Sequence, residues 1–573
     1  MDILPQFFSS VLLLLWPLLT RYFSDLFYAH TLVNNPNHLL VKLEHTLDFS
    51  EMEKACAPFH HSNGAGRPER YPAGMLVRAL LVGCLYDLSL RELEQRLYAD
   101  LIVRWFVGLR MLDDTPDHTT LERFYQWVAN NQPQVFFTTG LKQMEAYFPQ
   151  ERERLQIGDT YALRANAADE GLVRRLRHLS EKLFVALLKA LPQQAENGLR
   201  GFSWEQLFGA YPEKMSFFLD KGQRLQRLHT TACAAQELHQ RVTELLSGCP
   251  SQDHRVVRSW LGYLGKVLAD EFAFETDEAG GVGVRELTKK EKGEFRLISA
   301  SDPEATLRMH DVNGEDLTLG YNVQVAATVS GMITEICAYT GAEPDQSGVV
   351  HLVSAQIESQ GVCPKKLVYD KAAGSGKTRG EMQQATHGQC TIVARLPEYE
   401  LRSERFGPYE FTLSEDRSTL TCPNGVVSSI AYPAPPQAAG RTFRFFSHQC
   451  WHGEPPDRTP SSLEQALPRR CPLWEQCRDP KQGSRSMRQV FISDHRELVL
   501  ETRLYNQTPE FQQEIKLRPR IERVIFELTH YNGARRCRRV GLAYADFQAK
   551  LCATAYNLKL WMRRLGRTAA PAR

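Results

Sequence analysis

Strand-like and helical segments alternate between residues 155 and 396, and this alternation constrains the fold more than any other feature of the chain. Leu155–Tyr161 has the pattern of a strand, and two later strand-like runs flank Ser330-Gly331, which is a β-hairpin signal. A helical pattern at 345–360 precedes the short apolar strands 366–370 and 390–394. This order predicts an α/β fold, with a mixed sheet formed by the hairpin and the later strand–helix–strand unit.

Composition is that of a folded protein with several domains. The chain has 573 residues, of which 43% are hydrophobic and 24% charged, and these values exclude wholesale disorder and a multi-span membrane protein. Lys and Arg number 69 against 67 Asp and Glu, so any surface for nucleic acid must come from local clustering. The 13 cysteines form no regular framework, which indicates mostly free thiols and a reducing, cytoplasmic location.

The first residues form the one apolar stretch that a soluble protein does not need. Residues 3–20 carry no charge, and Asp2 argues against the basic start of a secretory signal. Three interpretations stay open: a membrane span of minimal length, an apolar helix packed on the body, or an upstream extension that is not a genuine part of the protein. We expect no membrane partner.

Changes of pattern divide the chain into six predicted parts. Residues 38–150 are helical, with a capping box at Ser89 and Glu92, while residues 277–292 are a predicted linker and 294–300 a predicted strand. The parts are an apolar extension (1–37), an all-helical N-terminal domain (38–150), a sheet-containing core (151–167 and 293–396), a helical insertion (168–292), a Cys-containing β-rich insertion (397–500) and a C-terminal helical part of the core (501–573).

Three acidic residues occupy informative places in this order. Asp159 lies on the first strand, Asp370 ends a later strand, and Glu522 lies early in a late helix. The order of strands and helices is that of an RNase H-like core, in which carboxylates at adjacent strand ends and on a late helix converge. Carboxylates are the hard oxygen ligands that Mg²⁺ prefers, and two such ions can act together at phosphorus. Spacing alone fits surface carboxylates and a helix N-terminal charge as well, because acidic residues are numerous.

Four motifs in this order resemble bacterial insertion-sequence DDE transposases, over about residues 38–565. The motifs are Gly158-Asp159-Thr160 with Ala165-Asn166-Ala167, Gly320-Tyr321-Asn322-x-Gln324, Leu367-Val368-Tyr369-Asp370, and Arg518-x3-Glu522 followed by His530-Tyr531-Asn532-Gly533-Ala534-Arg535-Arg536. The helical segment 57–128, with Tyr71-Pro72 and Pro116-Asp117-His118, is similar to the family's N-terminal domain.

The resemblance implies an RNase H-like catalytic core in which Asp159, Asp370 and Glu522 bind two Mg²⁺ or Mn²⁺ ions. It also implies cleavage and joining of double-stranded DNA at the terminal inverted repeats of an element and at a target, by a homodimer or larger assembly. Ile515 and Thr529 stand where relatives often have Tyr and Lys. A decayed or domesticated DNA-binding protein is therefore the alternative. Glu527 is a rival for the third acid, but Arg518-x3-Glu522 favours Glu522.

Basic residues cluster near the C-terminus. Residues 515–567 hold 13 Lys and Arg against three acids, a density that suits phosphate contacts with release of counterions, although a solvated helix face would look the same. The predicted DNA contacts are Arg518, His530, Arg535, Arg536, Arg538 and Arg539.

Two further signals are weaker. Cys422, Cys450, Cys471 and Cys477 fall within one insertion and would suit tetrahedral Zn²⁺, but they lack a Cys-x2-Cys pair, so small buried thiols are the alternative. Residues 372–378 imitate a phosphate-binding P-loop. An ATPase site there is disfavoured because Lys371 occupies the position of the required first glycine, and a flexible loop beside Asp370 is expected instead.

Overall fold

The computed structural model describes residues 22–60, 70–147, 151–209, 219–248, 250, 254–276, 282–309, 317–397, 405–433, 439–450, 471–478 and 487–568. The apolar segment 3–20 lies outside the described residues, so its three interpretations stay open. In the described part of the chain no single helix is long and apolar enough to cross a membrane. One pair of helices, Ala73–Leu85 and Leu90–Ala99, meets that test of length and composition only when both are taken together, and they are bent by 110°.

The N-terminal region is helical, as predicted. Its helices are α1 (22–34), α2 (Leu39–Glu44), α3 (Ser50–Cys56), α4 (Ala73–Leu85), α5 (Leu90–Ala99), α6 (Leu101–Val107), α7 (His118–Asn131) and α8 (Val135–Glu145). The predicted capping box is present, since Ser89 and Glu92 cap the start of α5 reciprocally. Asp100 and Asp117 cap α6 and α7 through backbone N–H groups, which explains why these helices begin where they do.

A mixed sheet forms the centre of the protein. Its strands are β1 (Leu155–Arg164), β4 (Thr306–Met309), β5 (Leu317–Thr328), β6 (Ile333–Thr340), β7 (Lys366–Val368) and β8 (Thr391–Val393). β5 pairs with β1 antiparallel, and β4 and β6 pair with β5, whereas β7 and β8 continue from β1 in parallel. The hairpin predicted at Ser330-Gly331 is confirmed, because Gly331 adopts a positive φ of 94° in the turn between β5 and β6.

Two helices join the parallel strands. α14 (Asp345–Gln360) connects β6 to β7, and α15 (Gly376–Ala385) connects β7 to β8. Val349 and Val353 of α14 and Met382 of α15 pack on Leu367 and Ile392 of the sheet. The covered sheet explains why β7 and β8 read as continuous apolar runs rather than as alternating strands.

The helical insertion follows β1, with two corrections to the prediction. It contains α9 (Leu172–Ala190), α10 (Pro192–Gly198), α11 (Trp204–Phe208), α12 (Lys221–Ser247) and α13 (Arg255–Glu271), which share a core of their own. Part of the predicted linker is a strand, because β2 (Phe272–Thr276) and β3 (Val282–Glu286) pair as a hairpin. Residues 294–300 form no strand; Leu297 and Ala300 are instead buried against the helical core as irregular chain.

The Cys-containing insertion is a small β-rich unit. Its strands are β9 (Thr412–Leu413), β10 (Leu420–Thr421), β11 (Val427–Ser428), β12 (Ala431–Pro433), β13 (Gly440–Phe445) and β14 (Arg488–Ser493), with the short helix α16 (Trp474–Cys477) between the last two. They form two three-stranded antiparallel sheets.

Four helices complete the chain and return to the sheet. They are α17 (Arg496–Tyr505), α18 (Pro509–Glu514), α19 (Pro519–Tyr531) and α20 (Leu542–Thr568). The long helix α20 packs against β6, α8 and α4. Trp561 and Phe547 of this helix are fully buried in one continuous core that also includes the N-terminal helices and β1. The N-terminal helices are therefore held to the sheet through the C-terminal helix.

Candidate active site

Asp159 lies in the middle of β1, and its position depends on the preceding glycine. A Cβ atom at Gly158 would lie 2.8 Å from Cδ2 of Tyr369 and 3.2 Å from the carbonyl oxygen of Val325, so only glycine lets the Tyr369 ring pack on β1. The Asp159 side chain is 16% exposed. Its Oδ1 accepts a hydrogen bond from the backbone N–H of Thr160 at 2.9 Å.

Asp370 lies beside Asp159 because of the strand register. β1 and β7 are parallel, and Ile157 pairs with Val368, so each aspartate stands two residues beyond a paired position on adjacent strands. Neighbouring strands are about 4.8 Å apart, which brings the two residues to the same edge of the sheet. Oδ1 of Asp370 accepts a hydrogen bond from the Ala372 N–H at 3.0 Å and caps the 3₁₀ turn that follows.

Arg518 joins the helix of the third acid to the strand of the first. Its Nη2 donates to Oδ2 of Asp159 at 2.9 Å, and its Nη1 lies 3.6 Å from Oε1 of Glu522. Glu522 lies in the first turn of α19, and its side chain is 61% exposed. The structure thus brings Asp159, Asp370, Arg518 and Glu522 together, with Glu522 on the open side.

The two aspartates carry negative charge that the protein only partly compensates. Burial is the main cause that raises the pKa of Asp159; the Thr160 N–H and the Arg518 guanidinium act against it, and the charges of Asp345 and Glu522 add to it. Burial, followed by the charges of Asp159 and Asp345, raises the pKa of Asp370. A site of this kind favours a bound cation over two ionised carboxylates left alone.

Asp345 is a fourth acidic residue here, and sequence reasoning missed it. It is the first residue of α14, and its Oδ1 accepts a hydrogen bond from Nδ2 of Asn322 at 2.7 Å. Nε2 of Gln324 donates to its backbone oxygen at 3.2 Å, and Oγ1 of Thr160 donates to its Oδ2 at 3.3 Å. The motif residues Asn322 and Gln324 therefore hold the start of α14 against the sheet. The only sequence signal for this role of Asp345 was the pair of amide side chains, Asn322 and Gln324, on one face of the same strand.

No metal site is fully formed among the described residues. Among the described residues, no three His, Cys, Asp or Glu side chains form a group that could hold a metal ion as placed. Asp159 is near enough to Asp370 and to Glu522 for their charges to interact, but Arg518 lies between Asp159 and Glu522. Binding a divalent ion would require the Arg518 guanidinium or the carboxylates to change rotamer.

Apart from Arg518, which donates to Asp159, the predicted DNA contacts separate into two groups. Arg538 pairs with Asp87 at 2.6 Å, and Arg539 pairs with Glu122 while its Cζ lies 3.5 Å from the centroid of the Tyr125 ring. These two arginines therefore join the N-terminal helices to the C-terminal segment.

Arg535 and Arg536 are exposed. Their backbone is tied to the end of β1, because the Arg164 N–H donates to Arg535 and the Cys537 N–H donates to Arg164. The imidazole of His530 is also exposed and stacks on Phe526, with ring centroids 4.0 Å apart.

A basic groove runs between the N-terminal helices and the C-terminal segment. It encloses about 1250 Å³ between the α4–α5 junction, α7, residues 529–539 and α20. Besides Arg538 and Arg539, it is lined by the exposed Arg91, Arg123, Arg535 and Arg536. Asn166, just beyond the end of β1, also lines it, so the groove begins about 20–25 Å along the strand direction from Asp159.

The glycines of the P-loop-like segment allow neighbouring chain segments to approach closely. A Cβ at Gly374 would lie 1.9 Å from the Arg395 carbonyl oxygen, and one at Gly376 would lie 2.6 Å from Cγ2 of Val499. Lys371–Gly374 is a 3₁₀ turn, and the Ser375 hydroxyl caps α15 by accepting from the Thr378 N–H at 3.2 Å. The loop expected here is therefore wrong: Lys371–Gly374 is a 3₁₀ turn and Gly376–Ala385 is an α-helix.

The four candidate zinc ligands converge. Cys422, Cys450, Cys471 and Cys477 line one small cavity of the inserted β-rich unit, and all four are free thiols.

Comparison with known families agrees with this arrangement. Residues 27–127 match the model of a transposase domain (DUF772), and residues 438–561 match that of a transposase DDE domain. The second match includes Arg518 and Glu522, whereas Asp159 and Asp370 lie outside both ranges. No curated protein and no solved structure matches the chain. These two transposase domains on one chain, in the order in which the sequence motifs occur, support an insertion-sequence DDE transposase.

Proposed function

We propose that the transposase cleaves and joins DNA at the terminal inverted repeats of an insertion sequence by two-metal-ion phosphoryl transfer at Asp159, Asp370 and Glu522. The observation that carries the proposal is the proximity of Asp159 to both of the other acids. Two stand at equivalent positions of adjacent parallel strands, and Arg518 connects the third to the first. We further propose that a homodimer or larger assembly holds the DNA ends.

The sheet topology supports an RNase H-like core. The strands that carry or flank the site follow one another in the chain as β1, β5, β6, β7 and β8, and lie in the sheet in the order β6-β5-β1-β7-β8. The first three are antiparallel neighbours and the last two continue in parallel from β1. The order along the chain is the one that the sequence led us to expect of such a core, whereas the order within the sheet was not predicted.

The donor set fits Mg²⁺ or Mn²⁺. Carboxylate oxygens are the ligands that these ions prefer. Burial and the nearby negative charges destabilise the ionised forms of Asp159 and Asp370, and a bound cation would offset this cost. Asp159, Asp370 and Glu522 would hold the ions. A bound pair would supply charge for activating a hydroxyl or water and for stabilising the leaving oxygen. The chain's own part is to fix the aspartates through the Thr160 and Ala372 N–H groups, and to keep Arg518 beside them.

The basic groove is the proposed path of the DNA duplex. Arg91, Arg123, Arg535 and Arg536 line it with exposed guanidinium groups, which suit phosphate oxygens. Its connection to Asp159 runs through β1, because residues 535–537 are hydrogen-bonded to Arg164 at the end of that strand. DNA held there would extend along the sheet toward the acidic residues.

The test compares cutting with binding. The full chain would be incubated with Mg²⁺ and a plasmid that carries its gene within the natural flanking DNA. We expect Asp159→Asn, Asp370→Asn and Glu522→Gln each to lower end cleavage by about 10²-fold or more while duplex binding persists, because each substitution removes a charged oxygen ligand.

Glu527→Gln is the matched control, since Glu527 lies on the same helix but pairs with Arg523 and Arg563. Normal cleavage by the three variants, or a wild-type chain that binds the ends without cutting them, would instead favour the decayed or domesticated DNA-binding protein.

A further inference from the structure

The inserted β-rich unit has little apolar core of its own. Its described residues bury one cluster of six hydrophobic side chains, namely Phe411, Leu420, Phe443, Phe445, Val490 and Ile492. Its strands are two to six residues long. Units with so small a core usually need a disulfide or a bound metal to hold one structure. The described cysteines of the chain are free thiols, which leaves a metal.

Four cysteines from three separate segments meet at one cavity beside this core. Cys422 begins the turn between β10 and β11, and Cys450 ends the 3₁₀ turn after β13. Cys471 lies three residues before α16, and Cys477 is the last residue of that helix. The Cys471 N–H donates to the Cys450 carbonyl oxygen at 2.8 Å, which joins two of these segments directly. The space open to the centre of a water-sized sphere is about 20 Å³, room for one water or one ion.

The surroundings suit sulfur that carries negative charge. The backbone N–H of Val426 donates to Sγ of Cys422 at 3.3 Å, and Nη2 of Arg478 donates to Sγ of Cys450 at 3.4 Å. Arg488 also lines the cavity. Four thiolates around one Zn²⁺ have a net charge of two minus, and the two guanidinium groups supply two plus. Apolar residues form the remaining wall, including Phe411, Phe445 and Trp474.

We propose that Cys422, Cys450, Cys471 and Cys477 bind one structural Zn²⁺. Binding replaces four S–H bonds by four Zn–S bonds and releases four protons to solvent. Among the described residues, no three cysteines are near enough to one another to hold a metal ion without movement. Binding must therefore bring the Cys422 turn and α16 closer to Cys450. The metal would thus hold together the unit inserted between Asp370 and Glu522. This site is separate from the carboxylates and does not depend on the function proposed for them.

The first experiment measures metal in the full-length wild-type chain, purified under reducing conditions without chelator. We expect about one zinc per chain. Replacement by Co²⁺ should give the visible absorption and sulfur charge-transfer bands of a tetrahedral thiolate site. The variant Asp370→Asn should keep both signals, which assigns them to sulfur rather than to the carboxylates. A wild-type chain that retains no zinc and gives no thiolate band with Co²⁺ would overturn the proposal.

The second experiment identifies the ligands. Cys422→Ser and Cys471→Ser should each lower the zinc content several-fold, whereas Cys363→Ser, outside the unit, should leave it unchanged. If the variants fail to fold, thiol alkylation of the wild type with and without chelator gives the same information. Zinc removal should expose the four cysteines to labelling and leave Cys363 unaffected. Equal labelling of the four with and without chelator would contradict the assignment.

Discussion

Arg518 and Asp159 stand 359 positions apart in the chain, yet Nη2 of Arg518 donates to Oδ2 of Asp159 at 2.9 Å. The same guanidinium lies 3.6 Å from Glu522, one turn further along α19. One arginine therefore connects α19 to β1, the central strand of the sheet. In the absence of metal it supplies positive charge between two carboxylates that would otherwise repel each other.

Removing this charge should shift the pH dependence of cleavage. The Arg518 guanidinium lowers the pKa of Asp159, so Arg518→Ala should raise that pKa. The acidic limb of the cleavage profile should then move to higher pH, and the rate at neutral pH should fall by about 10-fold or more. Arg518→Lys, with one point charge, should recover part of the rate. A profile of unchanged shape would show that Arg518 only holds the helix in place.

Asp370→Asn should stabilise the metal-free protein. A carboxyl whose pKa is higher in the folded than in the unfolded state contributes stability below the unfolded value of about 3.9, and loses it as pH rises through the folded value. At pH 7 the wild type carries this cost and the neutral variant does not, so Tm should rise by about 1–3 °C in chelator. The difference should shrink toward pH 4.

Mg²⁺ provides the control for that measurement. It should raise the Tm of the wild type and leave that of Asp370→Asn nearly unchanged, because a ligand stabilises only the form that binds it. A lower Tm for the variant at pH 7 would mean that the negative charge of Asp370 strengthens its hydrogen bond from the Ala372 N–H by more than the repulsion from Asp159 costs.

Two arginines that look alike in the sequence should behave differently. Arg539→Ala should cost about 2 kcal/mol of unfolding free energy, because it leaves Glu122 unpaired and removes the cation from the Tyr125 ring. Arg536→Ala should change stability by less than about 0.5 kcal/mol but weaken duplex binding and reduce the salt slope by about one. Melting curves and binding titrations at several salt concentrations distinguish the two. An unchanged slope for Arg536→Ala would place the DNA elsewhere.

Gly158→Ala should disturb the site through the packing of Tyr369 on β1. The added methyl group would press on the Tyr369 ring and the Val325 carbonyl, at a cost of about 1–3 kcal/mol, and displace Asp370. Cleavage should therefore fall together with Tm. Gly171→Ala is the matched control, because a Cβ there meets nothing within 4 Å. Equal effects of the two substitutions would show that general backbone stiffening, rather than contact with Tyr369, is responsible.

Local patterns in the sequence predicted most of the elements around the site. The hairpin at Ser330-Gly331, the cap at Ser89 and the helix at 345–360 are confirmed, because each depends on residues close together in the chain. The strand predicted at 294–300 is wrong: its apolar residues are buried by neighbouring helices rather than by a pleated sheet. An apolar run shorter than eight residues does not by itself distinguish these environments.

The sequence by itself determined the order of strands, helices and acidic residues along the chain. Hydrophobic periodicity and turn preferences depend only on residues that are close together in the chain. The sequence could not separate Arg535 and Arg536 from Arg538 and Arg539, because Asp87 and Glu122 reach the latter pair from more than 400 positions away. Nor could it reveal Asp345, whose role depends on side chains from β5. These distinctions arise only from tertiary structure, because burial and charge compensation depend on which distant segments are packed together.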